Sequence, residues 1–284
     1  MKKIPFLLIL LLPLLLLTPQ TASPEHKNAL ALFLKANESY QKGDYESARD
    51  LYTRILDQGI RNGILYYNLG NTYYRLGRTG KAIENYLSAR EWIPRSEDLE
   101  ANLRYAREER KDRIEATGGI LRELFFWYYR MSFPEMVRIF LLSNVIFWGT
   151  AAGRLFSRRP FLRGLLYISL LFGLTMGITA ATRYLQTRLH RPAVIIVPKA
   201  SVRSGMDPES TTLFVLHDGA EGWIDRTRDG WVLFRLPSGK EGWLKKAQVG
   251  KAALPYMTEK KSGSSSFSES VPSQQGALPH RQRV

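Results

Sequence analysis

Apolar positions along the chain follow several distinct patterns. After Met1-Lys2-Lys3 comes an unbroken apolar run of 14 residues, Ile4 to Leu17. A basic start, a short apolar stretch and the small residues Thr21-Ala22-Ser23 predict a secretory signal peptide or an uncleaved anchor over 1–23. From 29 to 96 the apolar residues recur at helical spacing, and Leu99, Leu103 and Ala106 continue the stripe into a further helix. Two long apolar stretches follow, Ile139–Gly153 between Arg138 and Arg154, and Gly164–Thr182 between Arg163 and Arg183. From 192 to 249 the pattern changes to short β-branched runs, Ala193–Val197, Thr211–Leu216 and Trp231–Leu236. Turn signals such as Asp218-Gly219, Asp229-Gly230 and Pro237-Ser238-Gly239 separate these runs. Beyond 250 the chain turns polar and Ser-rich, and 250–284 reads as a disordered tail. The fold class expected is multidomain: a helical array, a two-helix transmembrane hairpin and a small all-β barrel.

The helical region repeats itself at 34 residues: Asn37 as Asn71, Tyr40 as Tyr74, Gly43 as Gly77, Ala48 as Ala82, Tyr52 as Tyr86. The second copy reads Tyr66-x-x-Leu69-Gly70-x-x-Tyr73, then Ala82-x-x-x-Tyr86, then Pro94. It resembles the tetratricopeptide (TPR) repeat, with Tyr in place of that family's Trp and Phe. The resemblance implies a TPR array over 29–117, with repeats 29–62 and 63–96 and a capping helix over 97–115. In such arrays the first helix of each pair lines a concave peptide-binding face. In this register that face would present Phe33, Asn37, Tyr40, Tyr67, Asn71, Tyr74 and Arg75, with the two Asn amides available to an extended backbone.

An aromatic segment over 118–135 (Phe125, Phe126, Trp127, Tyr128, Tyr129) has the composition of a membrane–water boundary. The hairpin is expected over 136–183, with the first span starting near Phe133 and Arg138 reaching to the headgroups. Net charge is +15, and 118–192 carries 10 Lys and Arg against 2 Asp and Glu. The array is nearly neutral, so the excess marks the membrane segment and gives no nucleic-acid footprint. The connection with Arg154, Arg158, Arg159 and Arg163 has no acid and is expected in the cytoplasm. A hairpin returns the chain to the side it left, so the array and the β region share one side. The location expected is a bacterial cytoplasmic membrane, with both modules extracytoplasmic.

Within 192–249, Val202-Arg203-Ser204-Gly205, His217-Asp218-Gly219, Asp229-Gly230-Trp231-Val232 and Gly239-Lys240-Glu241-Gly242-Trp243-Leu244 resemble the bacterial SH3 family. The resemblance implies a small SH3-like barrel, with Trp231 and Trp243 in its core or, alternatively, on an exposed platform. Trp223 departs from that family's pattern and is expected as an exposed contact.

The absence of Cys excludes disulfides, thiolate metal sites and Cys nucleophiles. The four His residues lack ligand spacing, and no nucleophile elbow or phosphate-binding loop occurs. No cofactor, metal or enzymatic activity is expected. The order of signal, repeat, hairpin and barrel resembles the BatE-like proteins of the Bat aerotolerance operon. This implies a scaffold whose partners are membrane proteins of the same operon. A peptidoglycan-binding module, or an enzyme subunit whose site the sequence does not show, are the alternatives.

Overall fold

The computed structural model describes residues 24–112, 114, 125–157 and 159–255. The expected signal over 1–23 and the tail from 256 lie outside the described residues.

Five helices form the first layer: α1 (Pro24–Gln41), α2 (Tyr45–Asp57), α3 (Gly63–Arg75), α4 (Thr79–Arg90) and α5 (Glu97–Glu108). Local chemistry sets their ends. Asp44, Asn62 and Ser96 each accept the backbone N–H three residues on, at 3.1, 2.7 and 3.3 Å, which satisfies donors at the helix start that have no partner within the helix. Gly43 and Gly77, at φ 80° and 71°, turn the chain between the helices of each pair. The starts of α2 and α4, and those of α3 and α5, are 34 residues apart, so the sequence period is also a structural period. The expected capping helix thus sits where the first helix of a third repeat would. It ends at Glu108, not near 115, and the chain after it runs to the sheet.

After α6 (Phe126–Arg130) come α7 (Phe133–Phe156) and α8 (Pro160–Leu189). Glu135 closes the start of α7 by accepting the Ser132 N–H at 2.8 Å. Both helices are long and apolar enough to cross a membrane. Leu141, Leu142, Trp148, Ile168 and Leu171 face outward, whereas Ser143, Thr150, Ser169 and Thr179 are buried. Polar and small residues thus face the partner helix: a Cβ on Gly173 would lie 3.1 Å from the Ser143 hydroxyl, and one on Gly177 would lie 3.0 Å from the Phe140 ring. Small residues inside and large apolar residues outside is the arrangement of helices packed in lipid.

The last layer is one antiparallel sheet of β1 (Arg191–Ile195), β2 (Lys199–Arg203), β3 (Thr212–His217), β4 (Glu221–Arg228), β5 (Trp231–Arg235), β6 (Glu241–Lys245) and β7 (Val249–Lys251), in the order β3-β2-β6-β5-β4-β1-β7. Asp229 and Gly230, both at positive φ, form the two-residue turn from β4 to β5. Ala200, Val202, Leu216, Ile224, Val232, Phe234 and Leu244 fill the interior. The expected tail boundary at 250 is corrected: Lys251 belongs to β7, and Ala252 and Leu254 are buried.

The sheet does not hang free of the helices. Val194 and Ala252 join one core with Tyr66, Ala82, Ile83 and Tyr86. Ala193, Val194 and Ile195 are all fully buried, because one face of β1 looks into the sheet and the other onto α4. The unbroken apolar run in the sequence has this cause.

Candidate functional site

The array interior contains a repeated polar ladder. Tyr52 donates to Asn37 Oδ1 at 2.5 Å and Asn68 Nδ2 donates to the same oxygen at 3.1 Å. Thirty-four residues on, Tyr86 and Asn102 donate to Asn71 Oδ1 at 2.8 and 2.9 Å. These groups are buried, and reciprocal hydrogen bonding is what lets amides and phenols leave water. Burial pushes the Tyr86 phenol well above its ordinary pKa.

The expected concave face is therefore corrected in four of its seven members. Phe33, Asn37, Tyr67 and Asn71 are interior residues, between 0 and 4 % exposed. Phe33 packs on the Tyr52 ring, and the Tyr67 hydroxyl accepts from Asn102 at 3.0 Å. Their side of α1 and α3 meets the second helices and the next repeat. Tyr40, Tyr74 and Arg75 lie nearer the surface, and Tyr40 and Arg75 both meet Tyr45 at the helix ends. The Tyr40 ring stands edge-on to Tyr45 at 5.2 Å, the Arg75 guanidinium sits 5.0 Å over the Tyr45 ring, and Tyr74 donates to Glu109 at 2.7 Å. Desolvation raises Tyr40 to about 12 although Arg75 pulls it down. Arg75 remains exposed. The cluster is a compact aromatic surface with one cation held over a ring.

Sequence reasoning missed the contact between array and sheet. Glu221 takes two bonds from Arg107 and one from Arg110, all at 2.7 Å. Asp218 accepts the Gly80 N–H at 2.9 Å, and its pKa is raised by burial against the pull of that bond. Glu84 accepts the Lys251 N–H and the Ser88 hydroxyl accepts the Ala253 N–H, at 3.0 and 2.9 Å. Asp112 accepts the His217 N–H at 2.6 Å and lies 3.0 Å from its ring nitrogen. The charged end of α5 is thus a docking surface. Glycines allow the approach: a Cβ on Gly80 would fall 2.2 Å from both Asp218 and the Ile195 carbonyl. The array also grips the hairpin through Glu91–Arg183 at 3.0 Å and Arg95–Glu135 at 2.5 Å.

On the sheet the core alternative for Trp231 and Trp243 is corrected. Gly222, Val232, Phe234, Gly242 and Leu244 alternate inward, so Trp223, Trp231 and Trp243 lie on the outer face, half-buried. Trp231 lines a groove of about 410 Å³ with Lys199, Ser201, Arg203, Lys245 and Gln248. Trp223 is opposite Pro192 and Arg235 in the ladder, apart from the Tyr40 cluster in the sequence and in its element. Among the described residues there is no group of His, Asp and Glu that could hold a metal ion. Comparison with known protein families, curated proteins and solved structures found no match.

Proposed function

We propose that this chain is a membrane-anchored protein–protein interaction scaffold, with a TPR-type array and an SH3-like module on the extracytoplasmic face of a bacterial cytoplasmic membrane. The observation that carries the reading is the docking of array and sheet through ion pairs and a common apolar core, with the hairpin tied to the array by Glu91–Arg183. A polar ladder recurring with the repeat supports the TPR assignment, since each repeat then presents the same surface at a fixed spacing. Ion pairs that join all three parts hold exposed side chains at set heights above the lipid, which is what assembling neighbouring membrane proteins requires.

The contact assigned to the array is the Tyr40–Tyr45–Arg75 cluster, where aromatic area and a cation meet on one surface. Partners of this kind are membrane proteins of the same operon, as in the BatE-like proteins the chain resembles. The test is cross-linking of the full chain in its own membrane and identification of what co-purifies. Replacing Tyr40 and Arg75 by Ala should lower recovery of a specific membrane partner about tenfold, the range of one interface hot spot. Equal recovery from both chains removes the cluster from the mechanism.

A further inference from the structure

The sheet carries a second site, whose position relative to the hairpin follows from the hydrogen-bond ladders. Along α4, Gly80 meets Asp218, Glu84 meets Lys251, Ser88 meets Ala253, and Glu91 at the helix end meets Arg183 of α8. Arg183 directly follows the apolar stretch of α8. The C-terminal end of α4 is therefore near the membrane boundary and its start is away from it. Strand β1 leaves α8 at Arg191 and reaches the far end at Ile195, whose carbonyl abuts Gly80. Strand β4 is antiparallel to β1 and pairs Ile224 with Arg191. It continues to Arg228, four residues further, or about 13 Å at ~3.3 Å per residue. Arg191 itself stands about 12 Å beyond Arg183 at ~1.5 Å per helical residue. The tip joining β4 and β5 thus returns to the level of the headgroups.

That tip is basic and aromatic. Lys245 is paired with Trp231 directly beside it. Lys199, Arg203 and Lys245 line the groove with Trp231; among the described residues none of the three cations forms an ion pair, and Arg203 donates to the Ser210 carbonyl at 2.7 Å. Arg226 and Arg228 are exposed on the same hairpin. Asp229 is the one acid of the turn and pairs with Arg228 at 3.2 Å. A Trp edge among lysines and arginines suits the boundary region, where indole rings settle and phosphates attract cations.

We propose that the groove of Lys199, Arg203, Trp231 and Lys245 binds the anionic phospholipid headgroups of the membrane that the chain's own hairpin spans, giving the sheet a second attachment to the bilayer. The inference rests on the reading of α7 and α8 as membrane spans. An acidic peptide would satisfy the same charges, but the return of β4 toward the hairpin favours lipid.

Because the chain has no Cys, single-Cys variants report position cleanly. The full chain carrying Thr227→Cys at the tip, Ser238→Cys at the opposite end of the sheet, or Leu174→Cys within α8 is labelled with a fluorophore and placed in nanodiscs. Headgroup spin-labelled lipid should quench the probe at 227 at least about twofold more in discs one-third phosphatidylglycerol than in phosphatidylcholine alone. The probe at 238 should stay unquenched, and high salt should reverse the gain at 227. Lys199→Gln with Lys245→Gln should abolish the gain, and Lys→Arg at both positions should restore it. Brominated acyl chains should quench the probe at 174. Quenching at 174 with none at 227 overturns the headgroup assignment, and a response of the probe at 227 to tetraglutamate would then assign the groove to acidic peptide. No quenching at 174 overturns the spanning reading and this inference with it.

Discussion

Arg107 on the last helix of the array and Glu221 on the sheet, 114 residues apart in sequence, meet in a two-point ion pair with both bonds at 2.7 Å. Arg110 adds a third bond to the same carboxylate, and the Glu221 side chain is only 16 % exposed. Glu221→Gln keeps the shape but leaves two guanidiniums facing one neutral amide. The expected cost is about 2–3 kcal/mol, below that of a fully buried pair because Arg107 still reaches solvent. Hydrogen exchange should locate the loss: the amides of Lys251 and Ala253, bonded to α4, should exchange faster than those of the α3–α4 interior. Uniform acceleration everywhere would mean that the array and sheet have no separate docking step.

Gly80→Ala tests the docking from the other side. Alanine in a helix ordinarily stabilises by about 0.5–1 kcal/mol relative to glycine. Here the new methyl would stand 2.2 Å from the Asp218 carboxylate and the Ile195 carbonyl. The net change should be destabilising by about 1–3 kcal/mol, as for other overpacked sites. A raised urea midpoint for the full chain would show that α4 and the sheet do not approach this closely.

Gly70→Ala and Asn71→Ala act on the same helix by different means. A Cβ at 70 would lie 2.6 Å from the Tyr86 ring, an overpacking cost of about 1–3 kcal/mol. Asn71→Ala strips the Tyr86 hydroxyl and the Asn102 amide of their shared acceptor, at about 1–3 kcal/mol for the groups left unpaired. Asn37→Ala should cost a similar amount, since it occupies the matching position one repeat earlier. Denaturation midpoints of the three variants check this, and a neutral Asn71→Ala would contradict the buried ladder.

Alkaline pH should weaken the fold from about pH 10 upward. An exposed phenol ionises near 10, whereas burial holds Tyr66 protonated to about 12. Between these values the unfolded chain has lost a proton that the folded chain keeps, so stability falls as pH rises. Tyr66→Phe should flatten the decline in midpoint between pH 10 and 12 relative to the parent chain. An unchanged slope would mean that other groups control it.

The orientation proposed for the hairpin places 25–117 and 193–284 outside and 154–163 inside. Alkaline phosphatase fused after Arg191 should be active, and fused within 156–160 it should be inactive. The reverse pattern would invert the membrane assignment of the whole chain.

The local elements were legible in the chain alone. The 34-residue recurrence marked the paired helices, and Asp229-Gly230 between apolar runs is a short-range signal that fixes the backbone within one turn of itself. The long apolar stretches likewise marked α7 and α8, because their length and hydropathy are properties of the chain alone. Which faces those elements bury depended on the fold as a whole. Asn37 and Asn71 read as exposed because an amide alone favours water. Burial became favourable only when a Tyr hydroxyl 15 residues on and an Asn amide 31 residues on converged upon each. Trp231 and Trp243 went outward because the inner positions beside them pack Val232, Phe234 and Leu244, a matter of strand register that residue type does not show. The docking of sheet on array left the faintest trace, the doubly buried run at Ala193–Ile195. Its polar contacts join residues more than 100 positions apart, and Asp, Glu and Arg at such separations have no local pattern until the fold brings them within 3 Å.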